Sequence, residues 1–243
     1  MTQRDVSIPT PDGTCDASLH TPAGTGPWPA VIMFPDAGGL RPTFHEMGQR
    51  LADLGYAVLV PNVFYRLGPF EPFDMRTAFS DAGERARLMS MVSSVTKDAA
   101  TRDTEAMLDF VASQPEVAGT KVGTTGYCMG GGLALNAAGR FPDQVAAAAS
   151  FHGGYIASTA PDSPHLLAGA MTAKVYVAGA ENDASFDAEQ FDRLAKALTE
   201  AGVDHTWSPI RPPTASPSPT TRPTTRPPQS VTGRHSRSST PRR

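Results

Sequence analysis

Residues 121–133 read Lys-Val-Gly-Thr-Thr-Gly-Tyr-Cys-Met-Gly-Gly-Gly-Leu. The stretch predicts a strand, a sharp turn and a helix in succession, with Gly126-x-Cys128-x-Gly130 at the turn. This is the nucleophile-elbow pattern of an α/β architecture, with cysteine where serine is usual. The glycines have a steric reason: the central residue sits in a strained turn, and its neighbours two positions away must pack without side chains. At the N-terminus of the following helix, the dipole and free N–H groups favour a thiolate. The alternative is that Cys128 is one more small buried residue beside a glycine-rich turn. The features around it decide between the two.

Outward from this stretch, the body alternates apolar runs with helix-like segments, which predicts one α/β domain with a mostly parallel sheet and helices on both faces. Strands are expected at 30–34, 56–61, 122–127, 145–151 and 174–178, with a further strand beginning at His205. Val6, Ile8, Ala17 and Leu19 flank the turn signal Pro11-Asp12-Gly13 and predict an N-terminal hairpin. Phe44, Met47, Leu51 and Leu54, and again Phe191, Leu194 and Leu198, follow helical spacing and are expected in the core. Another helix is expected over about 96–114, and a fourth from Cys128 or just after. Residues 64–94 are less regular, with Phe64, Tyr65, Phe70, Phe73 and Phe79 among turn residues; they read as a cap or pocket wall, or as ordinary packing.

Two features fall where an elbow needs partners. Phe34-Pro35-Asp36-Ala37-Gly38-Gly39 ends a strand and opens a loop, so the backbone N–H groups of Ala37 and Met129 are the candidate oxyanion hole, with Asp36 beside the thiol. A plain strand-to-helix turn explains Gly38-Gly39 equally well, and the two readings are compatible. Val175-Tyr-Val-Ala-Gly-Ala-Glu-Asn-Asp183 ends another strand in an acid, which makes Asp183 the candidate orienting carboxylate. Asp187 reads better as a helix start and Glu181 as a solvated loop residue.

Three segments, VIMFPDAGGLRPTFHEMGQRLADLGYAVLVPNVFYR, TTGYCMGGGLAL and VYVAGAENDASF, occur in the order seen in the dienelactone hydrolase family of the α/β-hydrolase fold, which residues 1–207 resemble. The resemblance implies a Cys-Asp-His triad, no cofactor or metal, and hydrolysis of a small-molecule ester or lactone. By that likeness Cys128 is the nucleophile and Asp183 the acid, and Asp36 stands where glutamate is the better-known occupant. The family places its histidine in a His-Gly-Phe-like loop after the next strand, followed by a final helix. His20, His45, His152, His165, His205 and His235 all miss that position.

Beyond Trp207 the composition changes in kind. Residues 208–243 hold nine prolines, seven arginines and no acid, leaving the body with 14 basic against 24 acidic side chains, or −10, within an overall charge of −3. A tail so composed is expected to be disordered. Read one nucleotide out of frame, each new codon takes an unknown base plus the first two of the printed residue. Thr214-Ala215-Ser216 then admits His-Gly-Phe, Ile210-Arg211 admits Tyr-Pro, and Thr232-Gly233 admits His-Trp near the start of what would be the missing helix. The ordered run, beginning where the resemblance stops, points to a frameshift close to Trp207. The alternative is a natural Pro/Arg-rich linker or docking segment.

The other function classes are weaker. The basic tail has no interleaved aromatics to stack on bases, so no nucleic-acid partner is expected. No apolar run approaches a membrane span, no signal peptide is visible at the start, and Cys15 and Cys128 make no disulfide framework, so a cytoplasmic location is the expectation. A non-catalytic ligand-binding remnant is the main alternative to a hydrolase. A thiol redox sensor at Cys128 ranks last, having no resolving cysteine nearby in sequence. Substrate identity and oligomeric state are not legible.

Overall fold

The computed structural model describes residues 2–210 except 181 and 182. Of the tail expected over 208–243, residues 211–243, with Thr214-Ala215-Ser216 and His235 among them, lie outside the described residues, as does Glu181. Eight strands form one sheet in the order β1-β2-β4-β3-β5-β6-β7-β8. The hairpin β1 (Thr2–Thr10) and β2 (Gly13–Thr21) joins antiparallel to β4 (Ala57–Pro61). From β4 the sheet runs parallel through β3 (Trp28–Phe34), β5 (Val117–Tyr127), β6 (Val145–Phe151), β7 (Lys174–Ala180) and β8 (His205–Ile210). This is the α/β-hydrolase fold with its N-terminal hairpin.

The parallel strands are where the sequence is apolar and β-branched. Ala57 to Pro61 is buried at every position, as expected of a strand shielded on both faces. The helices are α1 (Pro42–Asp53), α2 (Ala82–Ser94), α3 (Lys97–Ala112), α4 (Met129–Arg140) and α5 (Ala188–Glu200). The larger core joins Ile32, Phe34, Leu59, Ala148 and Val175 of the sheet to Leu108, Leu135 and Leu194 of the helices. The smaller one lies under α1, where Phe44 and Ala52 meet Met33, Val58 and Val60.

Three expectations are corrected. Residues 64–94 are not irregular throughout: 82–94 form α2, capped by the Asp81 side chain, which accepts the Glu84 N–H at 2.8 Å. The helix was hidden because only Leu88 and Met91 of its residues are buried, too few to show a stripe. Second, Leu54 and Phe191 are not core; they are 75% and 40% exposed. Leu54 lies one residue past α1, and Phe191 leans on Trp207 at a ring separation of 4.6 Å. Third, β8 continues through Ser208, Pro209 and Ile210, paired with Ala178, Gly179 and Ala180, three residues into the stretch expected as tail. Proline is tolerated there because β8 is an edge strand. No described helix is long and apolar enough to cross a membrane.

Candidate active site

The turn between β5 and α4 is forced by close approach. A Cβ on Gly126 would lie 1.8 Å from the Gly130 carbonyl oxygen, and one on Gly130 would lie 2.3 Å from the Phe34 oxygen and 2.5 Å from the Pro35 oxygen. No side chain fits at either position. Between them Cys128 adopts φ 54° and ψ −118°, a conformation non-glycine residues rarely hold. Its own N–H donates to the Phe151 oxygen at 3.0 Å, tying the elbow to β6.

The loop after β3 stands against this turn. Asp36 folds back on its own segment: its Oδ1 accepts the Gly38 N–H at 2.9 Å, and its backbone oxygen accepts the Gly39 N–H at 3.0 Å. Arg41 holds the carboxylate with both arms, Nη1 to Oδ1 at 2.6 Å and Nη2 to Oδ2 at 2.8 Å. Met75 sulfur and Phe64 and Phe70 rings crowd the α-carbons of Gly38 and Gly39, so part of 64–79 does wall this loop. The aromatics there divide: Phe64, Tyr65 and Phe73 are buried, whereas Phe79 is 52% exposed.

Asp183 lies in the loop after β7, its Oδ1 accepting both the N–H (2.8 Å) and the hydroxyl (2.6 Å) of Ser185. Asp187 is the N-cap of α5, accepting the Gln190 N–H at 2.9 Å, which matches its reading as a helix start.

Asp36 and Asp183 each lie within electrostatic reach of Cys128. Burial pushes the Cys128 thiol above its ordinary pKa. The nearby Met129 and Ala37 N–H groups favour the thiolate, and the Asp36 and Asp183 charges oppose it.

No histidine joins them among the described residues. His20 bonds Ser18, His165 bonds Ser163, His45 meets Gln3, and His205 meets the Val203 oxygen. His152, at φ 41°, follows β6 with its ring 6.3 Å from that of Tyr127, and makes no side-chain hydrogen bond to Cys128 or Asp183.

Arg41 was missed from sequence; its one signal is its position five residues after Asp36 and immediately before Pro42 at the start of α1.

The two cysteines should behave oppositely. Burial raises the Cys15 thiol to about 12, and Cys15 is fully buried, whereas Cys128 is half-buried. A raised folded pKa means each protonated thiol adds stability at low pH that is lost as pH rises through the folded value. The expected thiol count with an aromatic disulfide reagent is one in the native protein, its rate rising with pH, and two after unfolding. Two fast thiols in the native protein would contradict the burial of Cys15.

The dienelactone hydrolase family model matches residues 15–208. A carboxymethylenebutenolidase of Pseudomonas sp. strain P51 is 33% identical over 126 residues, 52% of this chain and 50% of that one. The carboxymethylenebutenolidase of Pseudomonas putida is 28% identical over 135 residues, 56% and 55% of the two chains. Among solved structures, the dienelactone hydrolase-like promiscuous phosphotriesterase P91 from metagenomic libraries aligns with a TM-score of 0.66 at 28% identity, covering 86% of this chain and 81% of that one. The dienelactone hydrolase of Anabaena variabilis aligns at 0.60 with 20% identity, covering 86% and 85%, a likeness of fold.

Proposed function

This chain belongs to the dienelactone hydrolase family, and from that premise we propose that its body, residues 1–207, is built to cleave a small ester or lactone with Cys128 as nucleophile. The observation that carries the reading is the elbow: two glycines that admit no Cβ, with a strained cysteine between them facing the Ala37 and Met129 N–H groups. In the proposed reaction the Cys128 thiolate adds to the substrate carbonyl, and those two N–H groups hold the oxygen that becomes negative. Collapse of the adduct releases the alcohol, which takes up a proton, and leaves a thioester. Water then releases the acid and returns the thiol. No cofactor enters these steps.

A triad needs a base between thiol and Asp183, and we assign its absence to the frameshift near Trp207. Asp183 Oδ2 carries none of the Ser185 hydrogen bonds, which go to Oδ1. The chain as written should therefore be a weak catalyst. A cysteine retains a few per cent thiolate at neutral pH even unassisted, and burial reduces that fraction here. Slow turnover of an activated ester is expected, with a mass increment of one acyl group on Cys128. In Cys128→Ala both should vanish to the uncatalysed background; persistent turnover in that variant removes Cys128 from its role.

The raised thiol and the lack of a bonded histidine among the described residues favour a second reading, a ligand-binding remnant without chemistry. It requires that no acyl-enzyme form under any ester, so the same mass measurement separates the two.

A further inference from the structure

One strong ion pair beside the elbow has no place in the steps above. Arg41 occupies the N-cap position of α1, yet its side chain does not cap the helix. It turns back instead, gripping both oxygens of Asp36 and donating to the Gly39 oxygen at 3.1 Å, while its guanidinium lies 4.9 Å from the Phe44 ring. The two side chains are only 17% and 19% exposed. Asp36 in turn engages the Gly38 and Gly39 N–H groups. The intervening Ala37 N–H bonds nothing within the turn and faces the Cys128 sulfur.

We propose that Arg41 is a positioning residue for the oxyanion loop: its two-armed grip on Asp36 keeps the Ala37 N–H directed at the reacting carbon's oxygen and neutralises the carboxylate nearest the thiol. This rests on the hydrolase reading above. A planar fork suits the task and a lysine does not, because only the fork can fix both carboxylate oxygens at once. The groups that face the thiol are Asp36 from the loop after β3, Asp183 from the loop after β7, and the Met129 N–H of α4; His152 follows the strand that accepts the Cys128 N–H. Removing Arg41 leaves Asp36 uncompensated among them.

The test uses the full chain and the variants Arg41→Met, Arg41→Lys, Asp36→Asn and Cys128→Ala. Ester turnover, the pH dependence of Cys128 alkylation by iodoacetamide, and the melting temperature are measured for each. Misplacing a hole donor costs transition-state binding, so Arg41→Met should lower kcat about tenfold or more with KM little changed. Its alkylation midpoint should move to higher pH, and Arg41→Lys should recover the midpoint better than kcat. Asp36→Asn should lose kcat while its midpoint moves down, separating geometry from charge.

Unchanged kcat and alkylation profile in Arg41→Met overturn the proposal, as does full recovery of kcat by Arg41→Lys or wild-type kcat in Asp36→Asn. Should Arg41→Met fail to melt cooperatively, Arg41→Lys and Asp36→Asn decide alone. If ester turnover proves too slow to resolve, the alkylation midpoints decide. Turnover surviving in Cys128→Ala sinks the hydrolase reading itself, whereas its loss there beside an unaffected Arg41→Met sinks only the clamp.

Discussion

Restoring the reading frame near Trp207, so that the codons of Thr214-Ala215-Ser216 yield His-Gly-Phe, is expected to raise turnover of an activated ester by about 10² to 10⁴. The expectation follows from what surrounds the thiol. Burial and two carboxylates hold Cys128 protonated, and among the described residues nothing basic is bonded to it. A base at that point removes the proton as the sulfur attacks, and Asp183 can steady the imidazolium that results. β8 ends at Ile210 opposite Ala180, the last residue of β7, on the same sheet edge from which the Asp183 loop emerges. The restored protein should also show a lower pH midpoint for turnover than the written chain, since a histidine titrates well below a buried thiol. A restored protein no faster than the written one would refute the frameshift as the cause of the missing base.

The sequence made the elbow legible because its constraint is local. Gly126 and Gly130 are required by atoms within a few residues of them or on the adjacent strand β3, so the pattern survives without knowledge of the rest. The Asp187 helix start was legible for the same reason, as a side chain bonding backbone three residues on. Helix α2 carried a similar local signal in Asp81 and Glu84, but it lay among turn residues and lacked an apolar stripe. Arg41 could not be read at all, because a grip on Asp36 depends on how the loop between them bends back. Leu54 and Phe191 failed differently. Their spacing is helical and their side chains apolar, but Leu54 falls one residue past the end of α1, and Phe191 lies against Trp207 of β8 with one side open.

The second large effect expected is a gain in stability when the frame is restored. Helices α3 and α4 pack on one face of the sheet, while α1 covers the other near β2, β3 and β4, its Phe44 edge-on to Tyr127 of β5. Between α1 and β8 that second face is an open groove bordered by Val31, Leu54, Tyr127, Ala147, Phe151 and Tyr176. Tyr127 and Phe151 stack at 5.0 Å, and Tyr176 lies 5.6 Å from Phe151, so a row of half-buried aromatic rings lines it. Ala147 is exposed although β6 is an interior strand of a parallel sheet, where both faces are ordinarily covered. A Pro/Arg-rich composition offers little apolar surface to lay on such a groove. The out-of-frame reading, with His-Trp at Thr232-Gly233 near a helix start, offers more. Burying two or three of these side chains is worth about 3 kcal/mol or more, which for a domain of this size corresponds to roughly 6 to 12 °C in Tm. The written chain should accordingly melt lower, aggregate more readily and be trimmed by protease to about Trp207. The restored chain should resist trimming. Equal melting temperatures, together with protease resistance of the written tail, would show that the Pro/Arg-rich segment is a natural folded element, and the frameshift assignment would fall with it.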